Sequence, residues 1–315
     1  MSDSNKKRPL VHGDLVNVRS ADEILSALDS KGSMHGLPFM PEMLQFVGKQ
    51  FRVHRRVEYF SFDGDDLCGD EPSVRAFPND DVVILENARC SGVSHGGCKR
   101  GCAIFWKESW LSKVVNEAET SVPGNLDALS NRVLSKDPTH AEIYFCQSSE
   151  LLAATRPLSW KERLSRCLRN VFSGNVRAGE MVRNIFVWIR VRGRERLFGV
   201  YPTGSLQKTP TEVLDLQVGE LVEVKSLKEI KQTLDRRGWN RGLHFAPEMI
   251  PYCGRRLRVA ARADSMIREG TGEMRSMKNT VILENCTCDS ATWAFGGCPR
   301  EDYIYWREIW LRRVT

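Results

Sequence analysis

Residues 36–53 read GLPFMPEMLQFVGKQFRV, and residues 242–259 read GLHFAPEMIPYCGRRLRV. A repeat of this quality has to be placed before any fold is assigned. Working outward, GDLVNVRSADEILSALDSKG (13–32) returns as GELVEVKSLKEIKQTLDRRG (219–238), VILEN (83–87) as VILEN (281–285), and CKRGCAIFWKESWL (98–111) as CPREDYIYWREIWL (298–311). The order of these blocks matches along about 100 residues, although the second copy's cysteine spacing is longer by two, so the chain is an internal duplication.

Each copy opens on a short apolar alternation, Leu15, Val16 and Val18 or Leu221, Val222 and Val224, which suits a strand. A helix follows, marked by the capping boxes Ser20 with Glu23 and Ser226 with Glu229, and ended by Gly32 or Gly238. Strands are expected around FRVHRRVEYF and LRVAARA and again at the twin VILEN runs, with a short Pro-Glu-Met turn of helix before them. Trp106 and Trp110, like Trp306 and Trp310, stand four apart on one face and are expected in the core. The fold class is α+β, mainly β: duplicated small barrels with a helical segment between them. The division is a tail (1–11), a first repeat with a cysteine loop (12–114), a linker and basic helical middle (115–217), and a second repeat (218–315).

The copies differ most in one loop. CSGVSHGGCKRGC (90–102) gathers Cys90, Cys98, Cys102 and His95 among four glycines, whose permissive backbone lets a chain wrap around an ion. The fourth donor is expected to be Cys146 in IYFCQ, with His95 as the alternative. Four thiolates suit zinc or an iron–sulfur cluster, the spacing excludes neither, and a buried thiol cluster without metal is the plain alternative. In the second copy Cys288 and Cys298 align with Cys90 and Cys98, but Asp302 replaces Cys102 and Phe295 replaces His95. Cys253, Cys288, Cys298 and Asp302, with Cys286 nearby, are therefore a possible second, degenerate site. The isolated Cys68 and Cys167 are read as small buried hydrophobes.

With 315 residues, 41% of them hydrophobic, the chain is globular, and no apolar run approaches the roughly 18 residues of a membrane span. The start, MSDSNKKRPLVHGD, lacks the apolar core of an export signal. The expected location is cytoplasmic, where thiols stay reduced and ten cysteines point to metal more than to disulfides. The formal charge of +6 is uneven: the first repeat carries 12 basic and 15 acidic residues, the middle 14 and 11.

GLPFMPEM, HGGC-x3-C, FWKESWL, CPR and YWREIWL together resemble the marks of a family of bacterial proteins built from two such halves. The resemblance covers nearly the whole chain. It implies that each half is an SH3-like barrel, and it implies no activity.

From Arg156 to Arg196 there are 11 basic residues against three acidic ones, interleaved with Trp160, Phe172, Phe186 and Trp188. Trp160, Leu164, Cys167, Leu168 and Val171 recur at helical spacing, which predicts a solvated basic helix with this stripe turned inward. Arg163, Arg166, Arg169, Arg190, Arg192 and Arg194 are the candidate contacts for an acidic protein partner, with nucleic acid as the alternative. No GxSxG, P-loop, GxGxxG or HExxH motif is present. An enzyme would have to use an iron–sulfur centre or the His95/Cys98 pair. Glu86, Glu284, Glu108 and Glu308 recur in both copies, which marks them as structural. The reading is a metal-binding accessory protein that docks an acidic partner through its basic middle.

Overall fold

A computed structural model describes residues 8–62, 73–114, 123–198, 202–288 and 298–314. The fold is mixed α and β with strands predominating, and each repeat forms a curled five-stranded antiparallel sheet. In the first repeat the strands are β1 (Leu15–Val18), β2 (Gln50–Arg56), β3 (Val82–Arg89), β4 (Ala103–Lys107) and β5 (Leu111–Lys113), in the order β4-β3-β2-β1-β5. The second repeats this with β6 (Leu221–Val224), β7 (Arg256–Arg262), β8 (Thr280–Thr287), β9 (Tyr303–Arg307) and β10 (Leu311–Arg313), ordered β9-β8-β7-β6-β10. Even the irregularity is duplicated. The register shifts between Val53 and Arg55 in β2 and, at the matching place, between Val259 and Ala261 in β7.

The predicted helices are α1 (Ala21–Ala27) and its copy Leu227–Lys231, and both capping boxes form. All four tryptophans expected in the core are fully buried, with Phe39 or Phe245 edge-on to each pair. Glu108 accepts the Leu10 backbone N–H and pairs with Arg56, while Glu308 accepts the N–H groups of Leu214, Asp215 and Leu216. The twin glutamates thus pin the chain that enters each repeat, which is the structural job their recurrence implies.

The middle segment is more than a linker. A helix, α2 (Gln147–Ala154), places Cys146, Leu151 and Ala154 in the first repeat's core. Two further helices follow, α3 (Trp160–Phe172) and α4 (Ala178–Phe198). The sequence predicts that α3 turns its apolar stripe inward, and the structure reverses this. Arg166, Cys167 and Asn170 are buried, while Trp160 is 67% exposed and Phe172 86% exposed, with Leu164 and Leu168 exposed between them. The cause is electrostatic. Glu58 and Asp80 of the first repeat are carboxylates in need of cations, and Arg166 meets Asp80 at 2.6 Å while Arg169 meets Glu58 at 3.0 Å and Asp80 at 2.8 Å.

Candidate metal centre

The cysteine loop leaves β3 and returns into β4, so its two ends are fixed by adjacent strands, and the Cys90 N–H donates to the Cys102 carbonyl at 2.9 Å. Between them the chain doubles back at Gly92. Its φ is +70°, and a Cβ there would lie 2.0 Å from the Cys98 carbonyl oxygen, so only glycine permits the loop to close on itself. Cys146 arrives from the far side, as the residue capping the N-terminus of α2.

Cys90, Cys98, Cys102 and Cys146 all line one cavity of about 20 Å³, closed by Met40, Gln147 and Ile267. The four cysteines singled out in the sequence therefore do converge, although Cys146 lies 44 positions beyond Cys102. Backbone N–H groups point at their sulfurs. Ile267 N–H donates to Cys98 Sγ at 3.3 Å, the amides of Ser148 and Ser149 donate to Cys146, and that of Gly92 donates to Cys90. Such donors stabilise a thiolate and tune any metal it holds.

In the free protein Cys90, Cys102 and Cys146 are held in the thiol form. Burial pushes Cys90 up to about 12, with Glu42 adding to the rise, and pushes Cys146 up to about 11 against the Ser149 and Ser148 amides. Burial also raises Cys102 well above the ordinary thiol range, opposed by Arg100. A dry, thiol-lined cavity of this kind is a poor nucleophile and needs a cation to become a set of thiolates.

His95 has another role. It is 1% exposed, with Nδ1 2.7 Å from Glu42 Oε1 and Nε2 3.2 Å from the Phe145 carbonyl oxygen. Both ring nitrogens are already engaged, so serving as a fourth ligand to the cysteines or as a base for Cys98 requires His95 to give up its contact with Glu42 or with the Phe145 carbonyl. Burial raises the Glu42 carboxyl, but the His95 hydrogen bond and charge and the Ser94 amide outweigh it and leave Glu42 below its ordinary range. Sequence reasoning missed Glu42, because PEM recurs as Pro247-Glu248-Met249 and reads as scaffold. Glu42, Cys90 and His95 form the one trio of ligand-type atoms, among the described residues, that lie within 4.8 Å of one another.

The cavity is roofed by the other repeat. The hairpin Ser265–Ile267/Met274–Ser276 lies across the loop: Lys99 N–H donates to the Ser265 carbonyl, Ser265 Oγ to the Gly97 carbonyl, and Tyr144 N–H to the Gly272 carbonyl. A buried charge network closes the edge, with Arg300 2.6 Å from Glu269 and 2.9 Å from Asp302, and Arg100 3.3 Å from Glu269.

That arrangement breaks up the second set of donors. Cys298 belongs to the first repeat's core, where the Ser61 and Arg300 backbones donate to its sulfur, while Cys253 and Cys288 pack on the second core. Asp302 is taken by Arg300. The degenerate site expected from Cys253, Cys288, Cys298 and Asp302 is not assembled, because the duplicated strand end serves as interface instead. Cys286 is buried in the second core, and Cys167 lies against Met181 as a small hydrophobe. Cys68 and most of the acidic run 62–71 lie outside the described residues.

The arginines proposed for a partner also divide. Arg166 and Arg169 are committed to Glu58 and Asp80, which corrects their assignment as free contacts. Arg163 is half-buried, with Nε 3.3 Å from the Leu158 carbonyl, and Arg190 is exposed; the side chains of Arg192 and Arg194 lie outside the described residues. No helix among the described residues is long and apolar enough to cross a membrane. Comparison with family models, with curated proteins and with solved structures finds no match to the chain.

Proposed function

We propose that the chain is a metal-binding accessory protein of the cytoplasm, whose paired SH3-like barrels enclose an iron–sulfur cluster held by Cys90, Cys98, Cys102 and Cys146. The observation that carries this is the convergence of four cysteines from two separate stretches, Cys98 and Cys146 buried and Cys90 and Cys102 partly so, on one cavity supplied with backbone N–H donors. Spacing favours a cluster over a single ion, although a cavity of about 20 Å³ holds one atom-sized group, so a cluster requires the loop to open around it. Sulfurs about 2.3 Å from one tetrahedral zinc lie roughly 3.8 Å from one another. No three of these cysteine sulfurs come within 4.8 Å of one another. A multi-iron core sits between thiolates that are further apart, and the hydrogen bonds to sulfur and the exclusion of water are the levers that set its potential.

Zinc is the second reading, favoured by the Glu42, Cys90 and His95 trio, whose mixed oxygen, sulfur and nitrogen donors suit that ion. The two are separated by purifying the protein without oxygen, recording its visible spectrum, and measuring iron, sulfide and zinc per chain. Brown protein with iron and sulfide in equal amounts supports the cluster. One zinc and no colour moves the site to the second reading, and protein that takes up neither metal nor cluster on reconstitution sinks both.

The partner reading shifts with the arginines. The exposed stripe Trp160, Leu164, Leu168 and Phe172 of α3, with Lys161 exposed beside it in sequence, is the face offered to a partner, and Phe186, Ile189, Arg183 and Arg190 are likewise exposed on α4. An acidic protein with an apolar patch fits this face. A nucleic acid fits it less well, since two of the six arginines are neutralised within the chain.

A further inference from the structure

The second repeat carries a cavity of about 460 Å³ lined by cations, two of which have counterparts in the first repeat that are held by partners of their own. The correspondence follows from strand register. Lys107 faces Val82 as Arg307 faces Thr280, and Arg75 faces Phe60 as Arg275 faces Met266. Asp81 and Asn279 also correspond, because their carbonyls accept the N–H groups of Glu108 and Glu308 respectively.

In the first repeat both cations are satisfied. Lys107 Nζ is 2.8 Å from Asp81, and Arg75 donates to Thr155 Oγ1 at 2.8 Å and to the Thr155 carbonyl at 2.6 Å. In the second repeat the aspartate has become Asn279, whose amide donates to Thr211 Oγ1. Arg241, Arg275, Lys278 and Arg307 line the cavity together, Arg241 and Lys278 exposed and Arg307 donating to the Lys278 and Arg241 carbonyls and to Thr280 Oγ1, but among the described residues no carboxylate lies within ion-pair distance of any of them. The two acids at its edge are already engaged, Glu212 by Lys225 at 2.9 Å and Glu308 by three backbone N–H groups. Four like charges held together without a counter-charge are unfavourable, and such an arrangement persists where an anion is bound.

The remaining walls define the anion's other end. Leu243, Met266, Met277 and Ile309 make an apolar floor. Beside them Asn240 is 1% exposed, with its amide donating to the Pro210 and Thr233 carbonyls while Oδ1 has no hydrogen-bond partner. The volume lies in the range of small-molecule sites, with an apolar lining and a few convergent polar groups. Guanidinium forks suit the paired oxygens of a phosphate, and a dianion compensates more of the four charges than a carboxylate does.

We propose that this cavity binds a small amphipathic dianion, a phosphate monoester with an apolar substituent. Arg241, Arg275, Arg307 and Lys278 hold the phosphate, and the Leu243, Met266, Met277 and Ile309 floor takes the substituent. Burial, and to a lesser degree the neighbouring Arg275 and Arg241, push Arg307 down to about 10, a cost of charge that a bound phosphate offsets. The site is independent of the metal centre.

The test is calorimetric titration of the metal-loaded full chain at low salt with phenyl phosphate, inorganic phosphate and benzoate, on the wild type, Arg275→Gln and Asn279→Asp. The expected result is one phenyl phosphate per chain, bound at least tenfold more tightly than either other probe, with affinity lowered at least tenfold in both variants. Arg275→Gln should melt no lower than the wild type when no ligand is present, because a cation that only repels its neighbours stabilises nothing. No saturable binding of phenyl phosphate to the wild type, or equal affinity in the variants, overturns the site. Inorganic phosphate binding as tightly overturns the role of the apolar floor, and benzoate binding more tightly overturns the dianion.

Discussion

The two repeats share one backbone plan and have divided the work between them. The first keeps its charges paired and has turned one strand connection into a cysteine-lined cavity; the second keeps Cys288 and Cys298 but has lost the third loop cysteine, and roofs its neighbour. Cys102 has become Asp302, tied to Arg300 in the interface, and Asp81 has become Asn279, leaving Arg307 without a carboxylate among the described residues. Where the copies agree, as in the twin tryptophans and Glu108 and Glu308, the residue serves the fold; where they differ, it serves a site or a contact.

The sharpest way to break this division is at sulfur. Cys146→Ser should empty the metal centre and lower stability by more than about 3 kcal/mol, since metal binding to a folded site is folding free energy, whereas Cys253→Ser should leave metal content unchanged. Metal analysis and denaturant titration of both variants check this, and retained metal in Cys146→Ser would remove the fourth ligand from the proposal.

Acid should next set the repeats apart. His244 stands where the first repeat has Pro38, and burial pushes it down to about 4. Its folded-state value lies below that of the unfolded chain, so the unfolded form binds the extra proton, and stability falls as pH drops from about 6.5 towards 4. The loss attributable to this group is at most about 3 kcal/mol. Urea midpoints at pH 7 and pH 5 for the wild type and His244→Gln should show a smaller acid loss in the variant; equal losses would place the acid sensitivity elsewhere.

A smaller contrast lies within the cysteine loop. Gly92→Ala drives a methyl into the Cys98 backbone and should cost about 2–3 kcal/mol, whereas Gly97→Ala, at φ +76° with nothing within 4 Å, should cost about 1 kcal/mol for backbone strain alone. Thermal melts of the two proteins measure the gap. The smallest effect is a restoration: Asn279→Asp returns the first repeat's carboxylate to the second and should raise stability by about 1 kcal/mol or less, because the regained pair is partly exposed.

Much of this was legible in the sequence because a duplication states its own alignment. The strands, both capping boxes and the buried tryptophans followed from apolar period and cap chemistry, and Cys146 could be matched to the loop from residue type alone. Three things were hidden. The orientation of α3 depends on Glu58 and Asp80, which are remote in sequence and draw arginines inward against the helix's apolar pattern. The fate of Cys298 depends on how the repeats pack together, which neither copy encodes by itself. The 460 Å³ cavity is a missing partner, visible only when Asn279 is laid over Asp81.

The hairpin over the cysteine cavity also bears on how the protein comes into being. Cys98 accepts its hydrogen bond from Ile267, 169 positions further along, so all four cysteines leave the ribosome well before the segment that covers them. Contacts so distant in sequence form slowly. Assembly therefore has an open interval in which the proposed cluster could be delivered and a closed state that would shield it. Release of the metal to a chelator should accordingly follow the rate at which the Ser265–Ile267 amides exchange with solvent, and not the slower rate of global unfolding.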